Sequence, residues 1–142
     1  MYKRQPLGTS FRITGHPEDP AAVALRNYME ENHIAHMREL DLDGTPVPPP
    51  KPIAWYPGRL AWRFDVSRSV LRGKGVRKNA GCAPEVEATM ARFHTFLMAE
   101  NDFGTISRQE EVSMVPPCLL DVLPGHRVID MCASPGSKTQ QV

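Results

Sequence analysis

The run Asp130-Met131-Cys132-Ala133-Ser134-Pro135-Gly136-Ser137-Lys138-Thr139 gathers the residue types best suited to chemistry in this chain. It follows the apolar pair Val128-Ile129, so residues 127–131 are expected to form a strand that turns, through small residues, into a helix start. Open α/β sheets place ligands at the C-terminal ends of their strands, where Asp130 stands. Ala133, Ser134, Gly136 and Ser137 are small enough for the backbone to approach a ligand, and Gly136 can take dihedrals barred to other residues. Pro135 stiffens the turn, and successive amides there can make a nest for a carboxylate or phosphate. Lys138 puts a cation where the helix dipole disfavours one, which hints at an anionic ligand or partner. Glycine spacing excludes the dinucleotide fingerprint and the P-loop. By spacing alone the run fits a cofactor or nucleotide loop and an ordinary strand-to-helix turn equally well.

Several elements must position this loop. Residues 9–14 alternate apolar and polar and read as a strand. Asp19 can cap a helix that starts at Pro20 and carries an apolar stripe through about Ile34. Residues 45–52 are proline-rich and read as an extended connector, anchored by the aromatic cluster Trp55, Tyr56, Trp62 and Phe64. Residues 67–72 are compatible with a short helix, and residues 73–82 are basic and glycine-rich. Pro84 opens a helix to about Asn101, with Val86, Met90, Phe93, Phe96 and Leu97 at helical spacing. Ser107, with Glu110 in the capping-box position, is expected to cap a third helix that Pro116-Pro117 interrupts. Cys118-Leu119-Leu120 then continues as a short turn of helix, and Pro124-Gly125 turns into the strand over residues 127–131.

The 142 residues carry 17 Lys+Arg against 16 Asp+Glu, a net charge of +1. That balance excludes a bulk polycation, so nucleic-acid binding would need a local patch. Arg68, Arg72, Lys74, Arg77 and Lys78 form the local basic run, which reads equally as a solvated loop and as a phosphate-contacting surface. Trp55, Tyr56 and Trp62 can stack bases, but aromatics beside a proline-rich connector more often pack a junction. Cys82, Cys118 and Cys132 make neither a disulfide framework nor a zinc knuckle and suit a reducing compartment. Cys132 is expected to be a small buried thiol in the turn, Cys118 a core residue and Cys82 incidental. The five histidines share no metal-ligand spacing. There is no signal peptide and no apolar run of membrane-spanning length, so an intracellular soluble chain is expected.

The loop closely resembles the S-adenosylmethionine loop of the Sun-domain RNA (cytosine-5) methyltransferases. Their usual form is Asp-x-Cys-Ala-Ala-Pro-Gly-Gly/Ser-Lys-Thr, from which Ser134 departs mildly. The resemblance extends upstream. Residues 107–117 look like the helix these enzymes place before the loop. Ile53-Ala54-Trp55-Tyr56-Pro57, Leu60-Ala61-Trp62 and Ser67-Arg68 look like the entry segment of the eukaryotic tRNA branch, and Phe11-Arg12-Ile13-Thr14-Gly15 like its first strand. It covers the chain from about Thr9 onward and is best for the tRNA (cytosine-5) methyltransferase group.

The resemblance implies an α/β chain in two parts. Residues 1–64 would be an incomplete N-terminal RNA-binding-type α+β lobe and its connector. Residues 65–142 would be a helical lead-in and the first strand of a doubly wound, Rossmann-like methyltransferase domain, truncated here. It implies S-adenosylmethionine as cofactor, held by Cys132, Ala133, Ser134, Pro135, Gly136, Ser137 and Lys138, largely through the backbone. RNA, in particular tRNA, is the implied partner, with neither metal nor membrane, and the nucleus or nucleolus is the implied location. The implied reaction starts with a cysteine thiolate attacking C6 of cytosine, which makes C5 nucleophilic toward the methyl sulfonium. A second cysteine releases product. Both cysteines, and the acid that holds the cofactor ribose, are expected beyond Val142, so no catalytic residue is assigned. The chain is then the inactive front of a longer enzyme, poorly soluble alone. The rival reading is a non-catalytic RNA-binding or partner-binding protein.

Overall fold

The computed structural model describes residues 9–38, 40–42, 45–66, 71, 84–123 and 125–142. Its centre is a four-stranded antiparallel sheet in the order β4-β5-β1-β6. Strand β1 is Thr9–Ile13, β4 is Lys51–Pro52, β5 is Ala61–Phe64 and β6 is Ile106–Arg108. The remaining pair, β2 (Asp41–Leu42) and β3 (Thr45–Pro46), forms a separate two-stranded ladder. The sheet therefore takes strands from both sides of residue 64.

Helix α1 (Pro20–Met29) starts as its sequence dictates. The Asp19 carboxylate accepts a hydrogen bond from the Ala21 amide at 2.9 Å, and Pro20 occupies the first turn, where its missing N–H costs nothing. The helix widens into a π-helical stretch over Glu30–Ile34 and closes with one α-helical turn, Ala35–Met37. Helix α2 (Pro84–Phe103) buries Val86, Met90, Phe93 and Leu97, with Phe96 packed at the margin. Helix α3 spans Glu111–Leu119.

Register explains how the two faces of the sheet differ. Phe11 lies opposite Trp62, and Ile13 opposite Ile106, so these side chains share the face covered by α1 and α2. Phe93 sets its ring edge-on to Phe11 and Phe64, with centroids 6.2 and 5.7 Å apart. Arg12 lies opposite Ala61 on one side and Ser107 on the other, which puts it on the second face. There Ile53, Ala61 and Met114 make a smaller core, with Tyr56 packed against it.

Several expectations need correction. Ser107 caps no helix: it is the middle residue of β6, and α3 begins three residues after that strand's last member, Arg108, with Glu110 at the cap. Three residues are too few to show a period, and pairing with β1 decides their state. Pro116 and Pro117 do not interrupt α3. Pro117 has no N–H for the Ser113 carbonyl, and the Gln109 side-chain amide donates to it instead at 2.9 Å. Residues 127–131 form no strand, because no described segment lies beside them to pair with; Ile129 and Met131 are 87% and 92% exposed. Cys118 and Cys132 are exposed rather than buried, since no described layer covers α3 and the loop on that side.

The doubly wound sheet is thus not among the described elements; what they show is mixed α and β with an antiparallel sheet. The helix expected at Thr139 is a 3₁₀ turn, Thr139–Gln141. The suggested short helix at residues 67–72, except Leu71, and the basic segment 73–82 with Cys82 lie outside the described residues. Among the described residues no helix is long and apolar enough to cross a membrane.

Candidate functional site

The loop over residues 132–138 is held closed from within by Asp130. One carboxylate oxygen accepts from the Cys132 amide at 2.9 Å, the other from the Thr139 hydroxyl at 2.6 Å. Both bonds favour the charged form, and together with nearby Lys138 they hold this carboxyl below its ordinary value despite slight desolvation. Gly136 sits at φ 101°, a conformation that side chains rarely adopt. Cys132, Ala133, Ser134, Pro135 and Lys138 are exposed, and Gly136 and Ser137 are half-buried.

The loop is also held from outside, by residues that spacing did not single out. Arg12 is 1% exposed. Its Nε donates to Gln109 Oε1 at 2.9 Å, and its Nη2 donates to the Ser137 carbonyl at 3.2 Å. The Gln109 amide reaches Gln141 Oε1 at 3.1 Å as well as the Ser113 carbonyl. The Gln141 amide donates to the Met114 carbonyl at 2.8 Å. Lys138 turns toward α3, with Nζ 3.4 Å from Ser113 Oγ. Strand β1, the start of α3 and the loop are therefore one hydrogen-bonded unit. The sequence signal for Gln109 is Pro117, which leaves a carbonyl one turn earlier in need of a donor. Arg12 gave none: its place in an alternating strand reads as solvent-facing.

A cleft of about 850 Å³ opens beside the loop, between Pro116, Leu120, Leu123 and Val128 on its apolar side and Asp130 and Lys138 on its polar side. Mostly apolar walls with a few polar groups suit a small organic ligand.

The other candidates fall elsewhere. Trp62 is buried in the core, consistent with packing. Trp55 is half-exposed and donates to Glu111 at 3.3 Å. His33 is buried against Phe96, with ring centroids 4.4 Å apart. Among the described residues no three His, Cys, Asp or Glu side chains gather as a metal site.

Comparison with known proteins gives consistent relatives. The chain is 40% identical over 141 residues to the multisite-specific tRNA:(cytosine-C(5))-methyltransferase of Schizosaccharomyces pombe, covering 99% of this chain and 18% of the relative. It is 41% identical over 137 residues to the Saccharomyces cerevisiae protein of that description, covering 96% and 18%. It is 36% identical over 142 residues to the tRNA (cytosine(34)-C(5))-methyltransferase of Drosophila melanogaster, covering 98% and 17%. The chain thus spans less than a fifth of the length of the curated relatives it matches. No family model and no solved structure matches.

Proposed function

From the premise that this chain is a homologue of the tRNA cytosine-C5 methyltransferases along nearly its whole length, we propose that it is part of an S-adenosylmethionine-dependent enzyme that methylates C5 of cytosine in tRNA. The observation that carries this reading is the alignment at 36–41% identity, which covers 96–99% of the chain. On this reading residues 1–64 supply most of an RNA-binding-type lobe. Residues 65–142 lead into a Rossmann-like methyltransferase domain. The nucleus or nucleolus is the proposed location.

The residues present fit the cofactor. Gly136 at φ 101° keeps a side chain out of the loop, the residues around it are small, and a cleft of suitable polarity lies alongside. Cys132, Ala133, Ser134, Pro135, Gly136, Ser137 and Lys138 would hold it, mainly through the backbone. When bound, S-adenosylmethionine supplies a methyl sulfonium. This chain's residues shape and orient the loop: Asp130 closes it, and Arg12 braces it. Neither Cys118 nor Cys132 is proposed as the nucleophile. The 142 residues alone are proposed to be inactive.

The test is nucleoside mass spectrometry of unmodified tRNA incubated with the native-length protein and S-adenosylmethionine. Appearance of 5-methylcytidine supports the reading. Salt-sensitive tRNA binding with no cofactor binding and no product would replace it with an RNA-binding role.

A further inference from the structure

Arg12 is a buried cation with no carboxylate paired to it among the described residues. Its charge is met by neutral oxygens, those of Gln109 and of the Ser137 carbonyl, 97 and 125 residues away in the chain. Burying a guanidinium this way is costly, and an apolar side chain of similar volume would fill the same face at lower cost. What an apolar residue cannot do is fix the angle of a distant backbone carbonyl. The planar guanidinium, with donors at fixed angles, can. Gln109 completes the device. It accepts from Arg12 while its own amide holds the Ser113 carbonyl and Gln141, so the C-terminal end of the loop is braced at Ser137 and again just beyond it at Gln141.

We propose that Arg12 and Gln109 are positioning residues for the loop over residues 132–138, so that a strand of the first lobe sets the shape of the cofactor site; this rests on the reading of that loop as the cofactor loop. The consequence is physical coupling. Anything that displaces β1 moves the Ser137 carbonyl, and the loop's affinity for its ligand changes with it.

The experiment uses the native-length protein with Arg12→Lys, Arg12→Met and Gln109→Leu. It reads S-adenosylmethionine affinity, affinity for unmodified tRNA, melting temperature and hydrogen exchange of the amides in residues 132–141. The loss of the charge-assisted hydrogen bond to the Ser137 carbonyl predicts about tenfold weaker cofactor binding in Arg12→Lys and Arg12→Met. Exchange in the loop should quicken, that in α2 should not change, and tRNA affinity should hold within about twofold, since no phosphate contact is touched. Gln109→Leu, which leaves Arg12 in place, should quicken loop exchange to a smaller extent. It keeps the proposal testable where Arg12→Met does not fold. Unchanged loop exchange and unchanged cofactor affinity in a folded variant overturn the proposal. So does a fall of cofactor affinity, tRNA affinity and melting temperature in step, which is what a purely structural residue gives. If the wild-type protein binds no S-adenosylmethionine while Arg12→Lys quickens loop exchange, the bracing stands and the cofactor reading fails.

Discussion

His33 is 8% exposed, stacked on Phe96 and close to Phe93 and Tyr28. Burial lowers its pKa from the ordinary 6.5, and the nearby charges of Arg92 and His36 act in the same direction. The folded chain thus holds the neutral ring, and the unfolded chain takes up the proton first. Stability contributed by neutral His33 is complete above pH 6.5 and is lost as pH falls from there through the depressed folded value. His33→Phe keeps the stack and removes the titration. Urea midpoints measured from pH 7.5 to 5 should fall less for the variant than for wild type; parallel curves would remove His33 from the account. Glycines divide in the same local way. Gly58, at φ 63°, has Pro17 Cβ 2.6 Å from where its own Cβ would stand, whereas Gly104, at φ 81°, has open space. Gly104→Ala should cost about 1–2 kcal/mol from backbone strain alone. Gly58→Ala should cost more, because a proline ring must also move, and a thermal melt of each variant compares them directly.

At the level of elements, α2 is the main prop of the sheet's first face. Phe93 is fully buried between Phe11 and Phe64, so Phe93→Ala should cost about 3–5 kcal/mol in chemical denaturation. Phe103 ends the same helix 81% exposed, and its replacement by Ala should stay within about 0.5 kcal/mol. This helix was legible because its stripe, Val86 to Leu97, spans about three turns and its core is one-sided. So were β1 and the Asp19 cap, whose signals are local. The short elements were not. Ala61–Phe64 read as an aromatic anchor and Ile106–Arg108 as a helix cap, since what makes each a strand is a partner far off in sequence. Arg12 escaped for a related reason. Alternation marks a strand with one wet face, but β1 is central and its second face is covered by α3 and the loop, so its polar position is buried too. The loop itself was legible as a candidate, with Asp130 and Gly136 behaving as their chemistry requires, while its external braces lie in other elements.

At the scale of the whole molecule, the sheet is finished on one face and thinly covered on the other. Helices α1 and α2 seal the first face with a large core. On the second, a small core around Met114 gives way to exposed apolar side chains at Leu119, Leu120, Leu123, Val128, Ile129 and Met131. Clustered surface of that kind favours association, and its cost falls on solubility rather than on folding, because these side chains contribute little to the core. The purified 142-residue chain should therefore self-associate in a concentration-dependent way in analytical ultracentrifugation. The double substitution Ile129→Lys with Met131→Lys should shift it toward monomer while leaving the melting temperature of the folded lobe within a few degrees, about what surface substitutions change. A large drop in melting temperature would mean that these residues pack into the core after all. A monomer already in the wild-type chain would mean that the cleft beside the loop closes over its own apolar wall.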